Sequence, residues 1–357
     1  MSAMHERTQY PFSAIVGQEK MKTALILNAV SPSIGGVLIR GERGTAKSTA
    51  VRSLASLLPQ QDVVAGCPFG CDPHSPGRMC ESCRSRKDLQ TSKKRKMRVV
   101  ELPVSATEDK VVGTLDISAA IKSGDKKFEP GVLAEANRNI LYVDEINLLN
   151  DHIVDVLLDA AAMGVNTIER EGISYSHPSN FILIGTMNPE EGDLRPQLLD
   201  RFGLCVNIEG INDTDTRLEI ITRKMEFDRD PKAFMDVWSH SDKEIADKIV
   251  KAKELLPSVA ISKEMLKVIV NICVTLGVDG HRGDIAMMKA SKAIAAFEGR
   301  NEVNEKDVRL VSDMVLLHRM RKTPFSDVTL DAKKISSIIS NPADHMHMRD
   351  HVPGHAH

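Results

Sequence analysis

An octapeptide set between an apolar run and a helical pattern constrains this chain more than any other feature. Val37-Leu38-Ile39-Arg40 reads as a short buried strand. Gly41-Glu42-Arg43-Gly44-Thr45-Ala46-Lys47-Ser48 follows at once and opens a helix predicted from Ala46 to about Leu58. Strand, loop and helix in this order are the setting in which G-x-x-x-x-G-K-[ST] cradles phosphate. Backbone N–H groups of the loop and helix N-terminus surround the anion, Lys47 meets the β- and γ-phosphates, and the Ser48 hydroxyl ligates Mg2+. Gly41 through Thr49 are therefore the candidate nucleotide-binding residues, with ATP and Mg2+ as the implied cofactors. Ala46 stands where the motif usually has its last Gly, and it is expected to take helical φ/ψ as a first-turn residue. The plain alternative is a Gly-rich turn before a helix.

Further short apolar runs at Val99–Leu102, Ile140–Val143, Phe181–Thr186 and Leu204–Ile208 alternate with helical stretches such as Gly131–Arg138 and His152–Ala162. That alternation predicts an α/β fold with a parallel sheet. After about Ile211 the strand signals stop, and residues 215–227, 242–256, 262–276, 282–298 and 304–320 read as helices. The expected organisation is an α/β nucleotide-binding domain over 1–213 with a Cys-rich insertion at 66–98. A linker and helical domain over 214–335 follow, then a His-rich, disordered tail over 336–357 whose irregular spacing favours native divalent-metal binding.

Chemistry-bearing residues fall at the ends of these strands. Ile140-Leu141-Tyr142-Val143 ends in Asp144 and Glu145, which suit the Mg2+ shell and the orientation of an attacking water, although a solvated strand end looks the same in isolation. Asn188 closes the next strand and could touch that water or the γ-phosphate, or simply make an Asn-Pro turn. Arg201, in Leu198-Leu199-Asp200-Arg201-Phe202, is a candidate arginine finger for a neighbouring subunit. The plainer option is a salt bridge with Asp200, or one between Arg195 and Asp193. Arg282, opening a helix after Gly280-His281, could sense the phosphates from the other side, in its own subunit or a neighbour's.

The balance of 47 Lys+Arg against 49 Asp+Glu, net −2, excludes a uniformly basic nucleic-acid coat and a strongly acidic tail protein. With 9 Phe, 3 Tyr and 1 Trp, stacking platforms for single strands are scarce. No run approaches the roughly 18 apolar residues of a membrane span. The expectation is a cytoplasmic protein without membrane contact. Lys93-Lys94-Arg95-Lys96-Met97-Arg98 is the one strong basic run, read as a solvated loop rather than a nucleic-acid patch.

Six cysteines divide into two classes. Cys205 and Cys273 lie singly in apolar stretches and read as buried thiols. Cys67-x3-Cys71-x8-Cys80-x2-Cys83 gathers four thiols in a Pro- and Gly-containing segment, which suits a structural Zn2+, an iron–sulfur cluster, or unmetallated thiols. His74 could replace one of them. The segment is expected to be a surface excursion away from the nucleotide loop.

The loop, Asp144-Glu145, Asn188, Arg201 and Arg282, in that order and followed by helices, together resemble an AAA+ ATPase. Tyr10-Pro11-Phe12-Ser13-Ala14-Ile15-Val16-Gly17-Gln18, Val111–Ile117, Phe128–Leu133 and above all Asn188–Gly203 narrow this further. They resemble the ATPase (I) subunit of magnesium chelatase and its relatives serving cobalt or other tetrapyrrole chelatases, over roughly residues 8–335. The resemblance implies an ATP-driven motor forming a homo-oligomeric ring. It would work with an integrin-domain AAA+ subunit and a large tetrapyrrole-binding subunit that inserts the metal. It also implies a β-hairpin at Val165–His177 and an insertion around Leu115-Asp116-Ile117 and Phe128-Glu129-Pro130 as interaction surfaces. The alternatives are a MoxR-like remodelling ATPase and a non-catalytic nucleotide-dependent scaffold.

Overall fold

The computed structural model describes residues 8–86, 92–115, 128–170 and 173–320. The 336–357 tail, the turn of the expected hairpin at 171–172 and residues 116–127 of the insertion lie outside these. Eleven strands form among the described residues: β1 (Val37–Gly41), β2 (Gln61–Val64), β3 (Ser92–Arg95), β4 (Val99–Leu102), β5 (Gly113–Leu115), β6 (Phe128–Pro130), β7 (Ile140–Val143), β8 (Val165–Arg170), β9 (Ile173–Pro178), β10 (Ile182–Met187) and β11 (Leu204–Ile208).

Five of them make one parallel sheet in the order β11-β1-β10-β7-β4. Its strands are apolar at consecutive positions because both faces are covered. Side chains alternate between the faces: Val37, Ile39, Ile140 and Tyr142 point into one core, Leu38, Leu141 and Val143 into the other. Helices Glu19–Val30 and Lys47–Leu57, together with the C-terminal helices, cover the first face. Helices Val132–Ala136 and Asp151–Met163 cover the second. The remaining strands form three antiparallel pairs, β2–β3, β5–β6 and β8–β9.

Beyond the sheet the described chain is helical: Thr214–Arg229, Pro231–Leu255, Lys263–Thr275, Arg282–Phe297 and Glu305–Leu316. Capping fixes several starts. Asp213, Asp230 and Ser262 each accept a backbone N–H of the following turn, and Asn304 with Asp307 makes a reciprocal capping box. The second of these helices begins eleven residues before the predicted 242, with Pro231 in its first turn, where a missing N–H costs nothing. No helix is long and apolar enough to cross a membrane among the described residues.

Candidate nucleotide-binding site

β1 ends at Gly41, and the loop turns there because nothing larger fits: a Cβ at Gly41 would lie 2.5 Å from the Ile208 carbonyl oxygen. Gly44 has φ +83°, and a Cβ there would meet open space, so backbone conformation rather than packing favours glycine at this position. Ala46 is not helical, contrary to the sequence expectation. Its φ of 61° and ψ of 19° put it in the left-handed region as the N-cap of Lys47–Leu57. The chain enters the helix from a left-handed turn at this position, a conformation the motif's usual Gly adopts freely and Ala adopts at a cost. Lys47 donates from Nζ to the carbonyls of Gly41 and Glu42, folded along the loop, and burial pushes its ammonium below the usual lysine range. Thr45 Oγ1 donates to Glu42 O at 2.9 Å. Ser48 and Thr49 are half-buried in the first helical turn.

Parallel pairing brings the neighbouring strand ends to the same edge. Asp144, just past β7, accepts from Tyr142 Oη at 2.9 Å and from Thr186 Oγ1 of β10 at 2.5 Å. Those two hydroxyls aim one carboxylate oxygen and leave the other for a cation. Glu145 is the second non-glycine residue here with positive φ, 51°, and its N–H donates to Thr186 Oγ1 at 3.1 Å. A bulky residue held in that region carries local backbone strain. Arg43, from the loop itself, donates to Glu145 at 2.7 Å and pairs with Glu191 at 2.7 Å. Loop and carboxylates are thereby one connected group. Asn188 is buried, and its side-chain oxygen accepts from Glu190 N at 3.3 Å, capping its own turn.

The two candidate arginines stand apart from the loop. Arg201 is bound by Asp155 and Asp159 of helix Asp151–Met163 rather than by Asp200. Arg195 pairs with Asp151, while Asp193 pairs with Arg40 at 2.9 Å. Arg282 pairs with Asp200 at 2.8 Å. Arg201 and Arg282 line one cavity of about 340 Å³ with Asp151, Asp155, Arg195 and Gln197, and no residue of the phosphate loop reaches it. Sequence reading overlooked the group that holds this corner. Arg319, with its side chain 2% exposed, donates to the carbonyls of Asp200 at 2.8 Å, Phe202 at 2.5 Å and Gly203 at 3.3 Å. His318 Nε2 donates to Phe202 O at 3.1 Å. A buried arginine after an apolar helix carries no spacing signature, so only its destination reveals it.

The comparisons with known proteins agree with this geometry. Residues 85–202 match the AAA domain (dynein-related subfamily) model and 266–338 the AAA lid domain model. The magnesium-chelatase subunit ChlI homolog of Methanocaldococcus jannaschii is 57% identical over 334 residues, 93% of this chain and 91% of that one. The chain belongs to the magnesium-chelatase ChlI family. The ChlI subunit of Synechocystis is 51% identical over 330 residues, 92% of each chain. A solved complex between subunits BchI and BchD of magnesium chelatase includes a chain 45% identical to this one. The match covers 93% of this chain and all of that one, at a TM-score of 0.54. This ChlI-family chain is thus an AAA+ ATPase. Lys47, Ser48 and Asp144 offer the ammonium, hydroxyl and free carboxylate oxygen that Mg-ATP requires.

Away from the loop, this member of the ChlI family gathers its four thiols as the spacing suggested. The Sγ atoms of Cys67, Cys71, Cys80 and Cys83 all lie within 4.8 Å of one another. Cys205 and Cys273 are buried separately. Three expectations need correction. His74 is not a member of the group: its side chain is 73% exposed beside Asp62. The segment is also more than a surface excursion, because Cys71, Cys80 and Cys83 are buried with Val64, Phe69, Met79 and Ala134 in a small core of their own. The basic run is a loop only over 96–98, since Ser92–Arg95 is β3, paired with β2, and Arg95 is half-buried against Gly70.

Proposed function

We propose that the chain is the ATP-hydrolysing motor of a metallochelatase, in which a separate large subunit inserts Mg2+ or Co2+ as substrate into a tetrapyrrole. The observation that carries it is the strand-end cluster in which Arg43 of the phosphate loop binds Glu145, and Asp144 is held by Thr186 of the intervening strand, in a chain so similar to named chelatase subunits. In this reading residues 1–213 are the nucleotide-binding domain, 214–335 the lid, and the motor works in the cytosol. Lys47 and the loop amides hold the phosphates, Ser48 and Asp144 hold Mg2+, and Glu145 orients the attacking water. Bound Mg2+ neutralises charge on the phosphate oxygens. Asn188 steadies the γ-phosphate side. Arg201 and Arg282 complete a neighbour's site in a homo-oligomeric ring, because their shared cavity contains no loop residue of the same chain. The ring then drives an integrin-domain AAA+ subunit and the large subunit. The four thiols hold a structural Zn2+.

Steady-state ATP hydrolysis and metal insertion, measured with the partner subunits added, test the proposal. Glu145→Gln should lower turnover by about 10²–10⁴-fold with nucleotide binding retained. Lys47→Ala should lose binding and turnover together. Metal insertion that continues in Glu145→Gln would show that hydrolysis by this chain does not power it.

A further inference from the structure

The thiol group lies where two hairpins meet. Cys67 and Cys71 bracket a turn, Cys67-Pro68-Phe69-Gly70-Cys71, closed by Gly70 N–H donating to Cys67 O at 3.2 Å. Cys80 and Cys83 sit at the start of the short helix Glu81–Arg84, where Cys83 N–H donates to Cys80 O at 3.1 Å. Two knuckles therefore face each other. The backbone N–H of Cys80 donates to Cys71 Sγ at 3.2 Å, the kind of contact that stabilises a thiolate. Zn–S bonds of about 2.3 Å in a tetrahedron put sulfurs roughly 3.8 Å apart. Cys67 and Cys80 sulfurs are 3.9 Å apart, far beyond a disulfide bond, and all four thiols are free. A cavity of about 210 Å³ opens beside Cys67, Cys80 and Cys83 and gives an ion a way in. Four thiolates around one dication leave a charge of −2, and β3 with Lys93, Lys94 and Arg95 runs alongside, paired to the strand that leads into Cys67.

Phe69, between two of these cysteines, has a second role. Its ring stacks on His177 of β9 at 4.9 Å and on Phe128 of β6 at 6.2 Å, and Phe128 stacks on Tyr175 of β9 at 4.4 Å. Asn137 Nδ2 donates to Phe69 O at 2.8 Å, tying the turn to the start of β7. The thiol turn is therefore the base of an aromatic column that includes one strand from each of the β5–β6 and β8–β9 hairpins. Its own core is a handful of side chains, three of them cysteines, too few to be rigid without a staple.

We propose that Cys67, Cys71, Cys80 and Cys83 bind one Zn2+ in a closed tetrahedral site, and that this ion, acting through Phe69, sets the position of both hairpins. The role for the ion deepens the chelatase reading, whose partner surfaces the hairpins would supply, and rests on it only there. On binding, each thiol releases its proton to solvent as its sulfur takes up the metal, and no electron is transferred.

The test uses the full-length chain and needs no partner. Elemental analysis should find about one Zn2+ per chain, lost in the double variant Cys80→Ser/Cys83→Ser. Co2+ exchanged into the site should give the intense visible bands of a tetrahedral thiolate complex. Iron with acid-labile sulfide, or four freely titrating thiols in the chain as purified, would overturn the zinc site. Amide hydrogen exchange then reads the column. In Phe69→Ala, which keeps its ligands, residues 128–130 and 173–178 should exchange at least about tenfold faster while Zn2+ content stays the same. The cysteine variant should show the same loosening, with nucleotide binding unchanged in both. Unchanged hairpin protection in either variant would overturn the role given to the ion. ATP turnover is measured separately, so a failed chelatase reading would appear there and not in metal content or exchange.

Discussion

Ala46 carries a methyl group through a conformation that L-residues avoid, at a cost of about 1–2 kcal/mol. It is exposed, so no packing contact compensates. Ala46→Gly should therefore raise stability by about 0.5–1 kcal/mol, after the extra unfolded-state entropy of Gly is subtracted. A urea midpoint shifted upward at constant slope is the expected result, and a downward shift would show that the methyl group is used. The octapeptide was legible in the sequence because its chemistry lies in residue types at fixed spacing. The conformation of Ala46 was not, because φ there is decided by where the loop amides must point. The same holds for Glu145, whose strain comes from its tie to Thr186 on another strand.

At the scale of elements, the strands could be read from their apolar runs because both faces of the sheet are buried. The first half of helix Pro231–Leu255 could not. Of its opening residues Phe234 is buried, and it packs on Tyr10 at 5.4 Å and Phe227 at 5.7 Å, contacts that no local period encodes. Arg201 shows the same limit, since its partners lie on a helix more than forty residues earlier. The segment after helix Glu305–Leu316 gives a pH dependence. Burial, with the Arg319 charge beside it, holds His318 down to about 3, so it stays neutral while donating to Phe202 O. The unfolded chain protonates this side chain below about 6.5, and stability should fall as pH drops from there toward 3, by up to about 1.4 kcal/mol per pH unit. Thermal melts at pH 7 and pH 5 measure the slope. His318→Gln, which can still donate to Phe202 O, should flatten it, and an unchanged slope would assign the effect elsewhere.

Across the whole molecule, the phosphate loop and the Arg201–Arg282 cavity are separate surfaces, so in the proposed ring each site would be shared between neighbours. Mixing Lys47→Ala chains with Arg201→Ala chains, each inactive alone, should restore part of the turnover, because some interfaces pair an intact loop with an intact arginine. If the arginine served its own chain, no mixture would recover activity. A finger of this kind is worth about 10³–10⁵ in rate, so even a small restored fraction is measurable.

The parallel sheet also keeps two kinds of change apart. The phosphate loop, Asp144 and Asn188 follow the carboxyl ends of their strands, whereas the thiol turn joins Asn137 and Arg138, which precede β7. Between the two runs the length of four-residue β7, roughly 13 Å of hydrogen-bonded backbone. With the hairpins as the proposed partner surfaces, substitutions that reshape the thiol segment or the hairpins above it would alter which protein the motor turns for, while the machinery that consumes ATP stays as it was. A lineage could re-address this engine without rebuilding it.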